Sequence, residues 1–164
     1  MSDNIIMSTK ENMLKEYFIR YLKSNINLVG LFEFGVRAYP KDCRYDLMIL
    51  NAQQQYFRAF EFKRTRSDFL QDLRSGKWVK YLDFCNSFTW VCPRGLIHPD
   101  EILSPMGLLW ITEKQTAKCY DQSYIWIASE WKKRPKKLEV SQEVFNKIVC
   151  LFIERIKFRK DDFY

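Results

Sequence analysis

The sequence predicts a single domain of the α/β class, and three observations lead there. At 164 residues the chain has the length of one domain. With 47% hydrophobic and 16% aromatic residues it can fill a core, unlike a disordered chain. Runs with helical period alternate along it with short runs of strand character.

Each element follows from local chemistry. Ser8 and Glu11 have the spacing of a capping box, in which hydroxyl and carboxylate satisfy the first free amides of a helix. Leu14, Tyr17, Phe18, Tyr21 and Leu22 then recur at helical spacing, so an amphipathic helix should run from there to Ser24 and Asn25. Leu28 to Val36 reads as a strand, and Pro40 to Asp42 as a turn. Arg44 to Leu50 and Tyr56 to Lys63 are apolar-rich runs around a polar Asn51 to Gln55, the pattern of an antiparallel hairpin. Ser67 is a good N-cap for a helix beginning at Asp68, whose charge suits the helix dipole. Gly76 should kink or divide that helix, which continues through Trp78, Tyr81, Leu82 and Cys85.

Ser87 to Cys92 forms the next predicted strand, stopped by Pro93. A helical turn at Pro99 to Leu103 precedes a strand at Gly107 to Ile111, and Ala117 to Tyr120 and Tyr124 to Ile127 are short strand candidates. Trp131 to Lys137 is a basic connector. A last helix carries Val144, Phe145, Ile148, Val149, Phe152 and Ile156 on one face, and is read as core packing or a homodimer face. Residues 1–164 are thus taken as one domain, with a core at about 8–111 and a strand-rich extension and closing helix at 112–164.

Several function classes are excluded. No apolar run approaches the roughly 20 residues of a membrane span, and the polar first ten residues lack a signal peptide's apolar stretch. Five scattered cysteines without a C-x-x-C pair, and a single distant His98, give no zinc site and suit reduced thiols of the cytoplasm. A metal here should be hard and oxygen-bound, because carboxylates are what the chain supplies. The net charge of +7 and a pI near 9.1 suit a polyanionic partner, since Lys and Arg displace counterions from phosphates.

The hairpin carries the chemistry. Glu61 and Lys63 stand two apart on one strand and share a face, while Phe60 and Phe62 face the opposite layer. If Met48 faces Ala59 and Leu50 faces Phe57, then Asp46 stands opposite Glu61. Opposite residues have Cβ atoms about 4.5–5.5 Å apart, close enough for two carboxylates to share a divalent ion.

Tyr45-Asp46 followed by Phe60-Glu61-Phe62-Lys63 resembles the motif of the PD-(D/E)XK nuclease superfamily, with Tyr45 where the nominal proline stands. Ser67, Asp68, Phe69, Asp72, Lys77-Trp78, Tyr81, the run from Phe88 to Pro93, and Gly107 to Ile111 extend the likeness to its MmcB-like and phage-borne branch, over roughly 31–111. The resemblance implies a restriction-endonuclease-like core, a central mixed β-sheet flanked by helices. It also implies Mg²⁺ or Mn²⁺ held by Asp46 and Glu61. Lys63 would orient the attacking water or stabilise charge at the phosphate, and Glu33 would serve as an additional acid at the site.

Around this centre, Arg64 and Arg66 leave the strand at the rim and are candidate phosphate contacts, as is Lys77. Lys132 and Lys133, with Trp126 and Trp131, form an aromatic and basic patch suited to stacked bases. Ser67 is read as structural, Tyr81 as core, Asp68 and Asp72 as a solvated acidic edge, and Lys63 as having no structural role. The expected function is a metal-dependent deoxyribonuclease of DNA repair, recombination or phage DNA processing, in the cytoplasm of a bacterial or phage-infected cell. RNA is an open alternative substrate. The competing expectations are a non-catalytic nucleic-acid-binding module and an interaction or inhibitor protein of a mobile element.

Overall fold

The structure is a computed structural model and describes residues 2–37, 42–115 and 125–158, with side chains for 13–37, 42–113 and 127–157. The elements in order are α1 (Ser2–Lys23), β1 (Leu28–Val36), β2 (Cys43–Asn51), β3 (Tyr56–Phe62) and α2 (Arg66–Ser75). A 3-10 helix (Lys77–Phe84), β4 (Ser87–Pro93), a 3-10 turn (Pro99–Glu101), β5 (Gly107–Gln115), β6 (Ile125–Lys133) and α3 (Gln142–Phe158) follow among the described residues. The strands form one six-stranded sheet in sequence order. The pairs β1–β2, β2–β3 and β5–β6 are antiparallel, whereas β3–β4 and β4–β5 are parallel. The fold is therefore α/β, a mixed sheet flanked by helices.

The two faces of the sheet are built differently. On one, α1 lays Met13, Leu14 and Phe18 over Leu47, Ile49, Phe60, Phe62, Val91 and Leu109. Phe18 is the centre of this layer, with ring centroids 4.7 Å from Phe60 and 5.5 Å from Phe62. Gly30 marks where α1 comes closest to β1, since a Cβ there would collide with Leu22. The other face holds the larger core, where α2, the 3-10 helix and α3 cover Phe57, Ala59, Phe88 and Trp90 with Phe69, Tyr81, Ile148 and Phe152. Strand β4 is buried from Ser87 to Cys92, as expected of a parallel strand covered on both sides.

Asn86, directly before β4, ties the start of that strand to its surroundings. Its Oδ1 accepts from the Phe57 amide at 2.8 Å, its carbonyl accepts from the Leu138 amide at 2.8 Å, and its side-chain amide donates to the Leu138 carbonyl at 3.3 Å.

Three local expectations are corrected. Helix α1 begins at Ser2, so Ser8 and Glu11 lie inside it rather than capping it. The N-cap of α2 is Thr65, whose hydroxyl accepts from the Asp68 amide, and Ser67 falls in the first turn. Trp131, Lys132 and Lys133 close strand β6 instead of belonging to a connector. Gly76 does divide the helices: it adopts a left-handed φ of 64°, its amide caps the Leu73 carbonyl, and the 3-10 helix starts next to it. The turn at Pro40 and the strand at Ala117 to Tyr120 lie outside the described residues. No helix among the described residues is long and apolar enough to cross a membrane.

Candidate active site

The hairpin pairs Leu47 with Phe60, Met48 with Ala59 and Leu50 with Phe57, so the expected register is the observed one. One step beyond the last pair, Asp46 stands opposite Glu61. Its Oδ2 accepts a hydrogen bond of 2.6 Å from the Phe62 amide, which fixes the carboxylate against β3.

Both strands of the β1–β2 pair change phase at this point. Val29 and Leu31 face the larger core, but so do Phe34 and Val36, and the alternation breaks at Glu33. In β2, Met48 and Leu50 share that core with Cys43 and Tyr45, and the break falls at Asp46. The ladder pairs Phe32 with Leu47 and Phe34 with Tyr45, which sets Glu33 opposite Asp46. Glu33 has a φ of 53°, a left-handed value uncommon for a residue with a Cβ and costly unless its surroundings enforce it. The enforcing contacts are present: Arg155 of α3 donates to the Glu33 carbonyl at 3.1 Å, and Arg44 holds the Glu33 carboxylate at 2.7 Å. The regular strand expected over Leu28 to Val36 thus carries a local reversal at Glu33.

Glu33, Asp46, Glu61 and Lys63 line one pocket of ≈ 270 Å³, together with Arg64, Asp68, Asp72 and Lys77. Lys63 is buried, with 3% of its surface exposed, over the ring of Trp90. Its ammonium lies 2.5 Å from Asp72 Oδ2, 3.4 Å from Glu61 Oε1 and 3.7 Å from Asp68 Oδ1. Lys63 therefore has a structural role that sequence reading missed, and Asp68 and Asp72 line the pocket beside it, Asp72 largely buried and Asp68 half-exposed. Their signal was the four-residue spacing on the helix that starts straight after the Glu61–Lys63 strand, which sets both carboxylates over that strand's end.

Burial dominates the electrostatics. Glu61 is pushed up to about 8, first by desolvation and then by the neighbouring Asp46 charge, against the opposing pull of Lys63. Asp46 is raised by desolvation too, although the Phe62 amide and Lys63 offset part of it. Burial works against the Lys63 ammonium, but Glu61, Asp72 and Asp68 more than compensate and hold it charged. Glu61 Oε2 is buried without a hydrogen-bond partner among the described residues. An unpaired carboxylate oxygen in that position is costly, and a cation beside it would remove the cost.

The donor set suits a hard divalent ion, with the free oxygen of Glu61 and the carboxylate of Asp46 converging on one pocket. Among the described residues, no group of three or more His, Cys, Asp or Glu side chains is arranged to hold an ion. The physical reason is visible in the pairing: Glu33 is turned to Arg44, and Asp68 and Asp72 to Lys63.

The other predicted contacts fall in different places. Arg64 is exposed at the pocket rim, and Lys77 lines it as well. Arg66 is directed elsewhere, to the Glu101 carboxylate and the Leu96 carbonyl. Lys132 pairs with Glu130 at 2.8 Å and stacks over Trp110, while Lys133 reaches the Ile102 carbonyl. The register Glu61–Trp90–Leu108–Lys133 places this basic segment level with Glu61 but three strands away, roughly 14 Å at ordinary strand spacing. The Trp126 side chain lies outside the described residues.

No protein-family profile matches the chain, and no curated protein matches it. Among solved structures it is similar to the SPO1766 protein of unknown function from Silicibacter pomeroyi, with a TM-score of 0.60 and 25% identity over 85% of this chain and 81% of that one. That likeness supports the fold and leaves the activity open.

Proposed function

We propose that the protein is a divalent-metal-dependent nuclease that hydrolyses phosphodiester bonds of DNA, acting in repair, recombination or phage DNA processing in the cytoplasm of a bacterial or phage-infected cell. The observation that carries this reading is the unpaired, buried Oε2 of Glu61 in the same pocket as Asp46 and Lys63. Binding alone would require no such group. The resemblance to the PD-(D/E)XK motif points the same way.

On this reading Asp46 and Glu61 hold Mg²⁺ or Mn²⁺, which would supply polarisation of the phosphoryl oxygen and a more acidic bound water. The Phe62 amide keeps Asp46 in place for that task. Lys63 sets a fixed positive charge beside the carboxylates, where developing negative charge on a phosphate is stabilised in a low-dielectric site. Its position is set by Asp72 and Asp68, which therefore act as positioning residues. Arg64 and Lys77 at the rim meet the flanking phosphates.

The test is cleavage of labelled single-stranded, duplex and branched DNA, and of RNA, with Mg²⁺, Mn²⁺ or EDTA. Wild type should cut DNA with either metal and not in EDTA. Asp46→Asn and Glu61→Gln should each reduce cleavage by on the order of 10² or more while remaining folded. A wild-type protein inert on every substrate would overturn the enzyme reading in favour of the binding module.

A further inference from the structure

A cleft of ≈ 1020 Å³ lies beside the carboxylate pocket, between the end of β1, the start of β2, the 3-10 helix and the second half of α3. Glu33 and Lys77 line both, so cleft and pocket meet across those two residues. Five cationic side chains line the cleft against three acidic ones. With Arg44 neutralised by Glu33, Arg37, Lys77, Lys80 and Arg155 outnumber the remaining acids, Asp42 and Glu154. Arg155 donates to the Glu33 carbonyl, yet its Nε is buried without a hydrogen-bond partner among the described residues. Arg37 directly after β1, Lys80 of the 3-10 helix and Arg155 of α3 line this concavity from three separate parts of the chain, a placement that a merely solvated charged surface does not require.

Shape narrows the ligand. A cleft of this volume, at the top of the roughly 300–1,000 Å³ range of ligand pockets, has room for about a few nucleotides of one strand and is too small to take in a paired duplex. Single strands are held by basic grooves that track their backbone. We propose that this cleft binds the sugar-phosphate backbone of a single-stranded DNA segment and leads it to the carboxylate pocket, a refinement that rests on the nuclease reading for what happens there. Arg37, Lys80 and Arg155 contact successive phosphates, and Lys77 stands at the junction. Helix α3, read from sequence as core packing or a homodimer face, thereby contributes to the binding surface.

The experiment measures fluorescence anisotropy of a labelled oligothymidylate and of a blunt duplex in EDTA, where no cleavage occurs. Wild type should bind the single strand more tightly than the duplex. Arg37→Ala combined with Lys80→Ala should weaken single-strand binding by about tenfold and lower the slope of log affinity against log salt by about 1.4, at about 0.7 per neutralised phosphate contact. Should loss of the Lys80 contact to the Asp42 carbonyl unsettle the double variant, Arg37→Glu alone, at an exposed position, serves instead. Unchanged affinity and slope in a folded variant would overturn the cleft assignment, as would equal or tighter binding of the blunt duplex by wild type. A wild type that cleaves DNA while the variants bind normally refutes the cleft and leaves the nuclease. One that never cleaves while the variants lose single-strand binding does the reverse.

Discussion

Lys63 shows how much a single side chain can hold in this fold. It lies among Glu61, Asp68 and Asp72, and the buried ammonium and its nearest partner, the largely buried Asp72, depend on each other. Lys63→Ala should therefore cost about 3–5 kcal/mol, the scale for leaving buried partners uncompensated. Asp68→Asn, at a half-exposed carboxylate, should cost under about 1 kcal/mol. Urea denaturation of both variants checks the contrast, and equal small losses would refute the structural role. Glu61 makes a prediction in pH. Its carboxyl rises from an ordinary 4.5 to about 8 in the fold, so folding favours the protonated form. The stability present below about 4.5 is then lost as pH rises toward about 8. The melting temperature of the metal-free wild type should fall across that window, and Glu61→Gln should flatten the fall. Mg²⁺ should raise the melting temperature more at the upper end, where the ligands are already ionised. A metal-induced shift independent of pH, or identical in Asp46→Asn, would place the ion elsewhere.

Element by element, what could be read in advance was what depended on neighbours in sequence. The hairpin register followed from alternation on both strands and a polar turn that had to be solvated. The start of α2 was less legible because Thr65 and Ser67 offer the same hydroxyl two residues apart. The choice between them depends on where β3 releases the chain. Thr65→Ala should cost about 1 kcal/mol, against little for Ser67→Ala, and thermal melts of the two variants decide the assignment. The reversal at Glu33 was invisible for a related reason. Its φ is enforced by Arg155, more than a hundred residues downstream, and no local pattern announces such a contact. Asp68 and Asp72 looked like a solvated edge because their partner, Lys63, was read as a catalytic group turned to the phosphate and not to the following helix.

At the scale of the molecule, the helices divide the labour between the two faces of the sheet. On the larger core's side, α2 and the 3-10 helix line the carboxylate pocket, and the 3-10 helix and α3 line the adjoining cleft; α1 backs the strand that carries Glu61 and Lys63 and adds Leu14 and Lys15 to the pocket. Phe18 presses on Phe60 and Phe62, the residues that alternate with the site's own side chains. Phe18→Ala should cost about 3–5 kcal/mol, the range for removing a buried aromatic ring. A folded Phe18→Leu should retain more stability, and the two denaturation midpoints measure the difference. The two-faced coverage was legible in outline, from apolar stripes on the first and last helices. Which helix covered which face was not, because a stripe records that a surface is buried without recording against what.

The sheet's strand order carries a consequence for how the protein is made. Its six strands lie side by side in the order in which they are translated. Each can therefore dock on its predecessor as it leaves the ribosome, without waiting for a distant partner. Residues 33–72 supply every acid that lines the carboxylate pocket, so the nascent chain gathers that negative charge while Trp90 and the helix bearing Arg155 are still unsynthesised. Lys63, which follows Glu61 by two positions, arrives in time to hold the acids together.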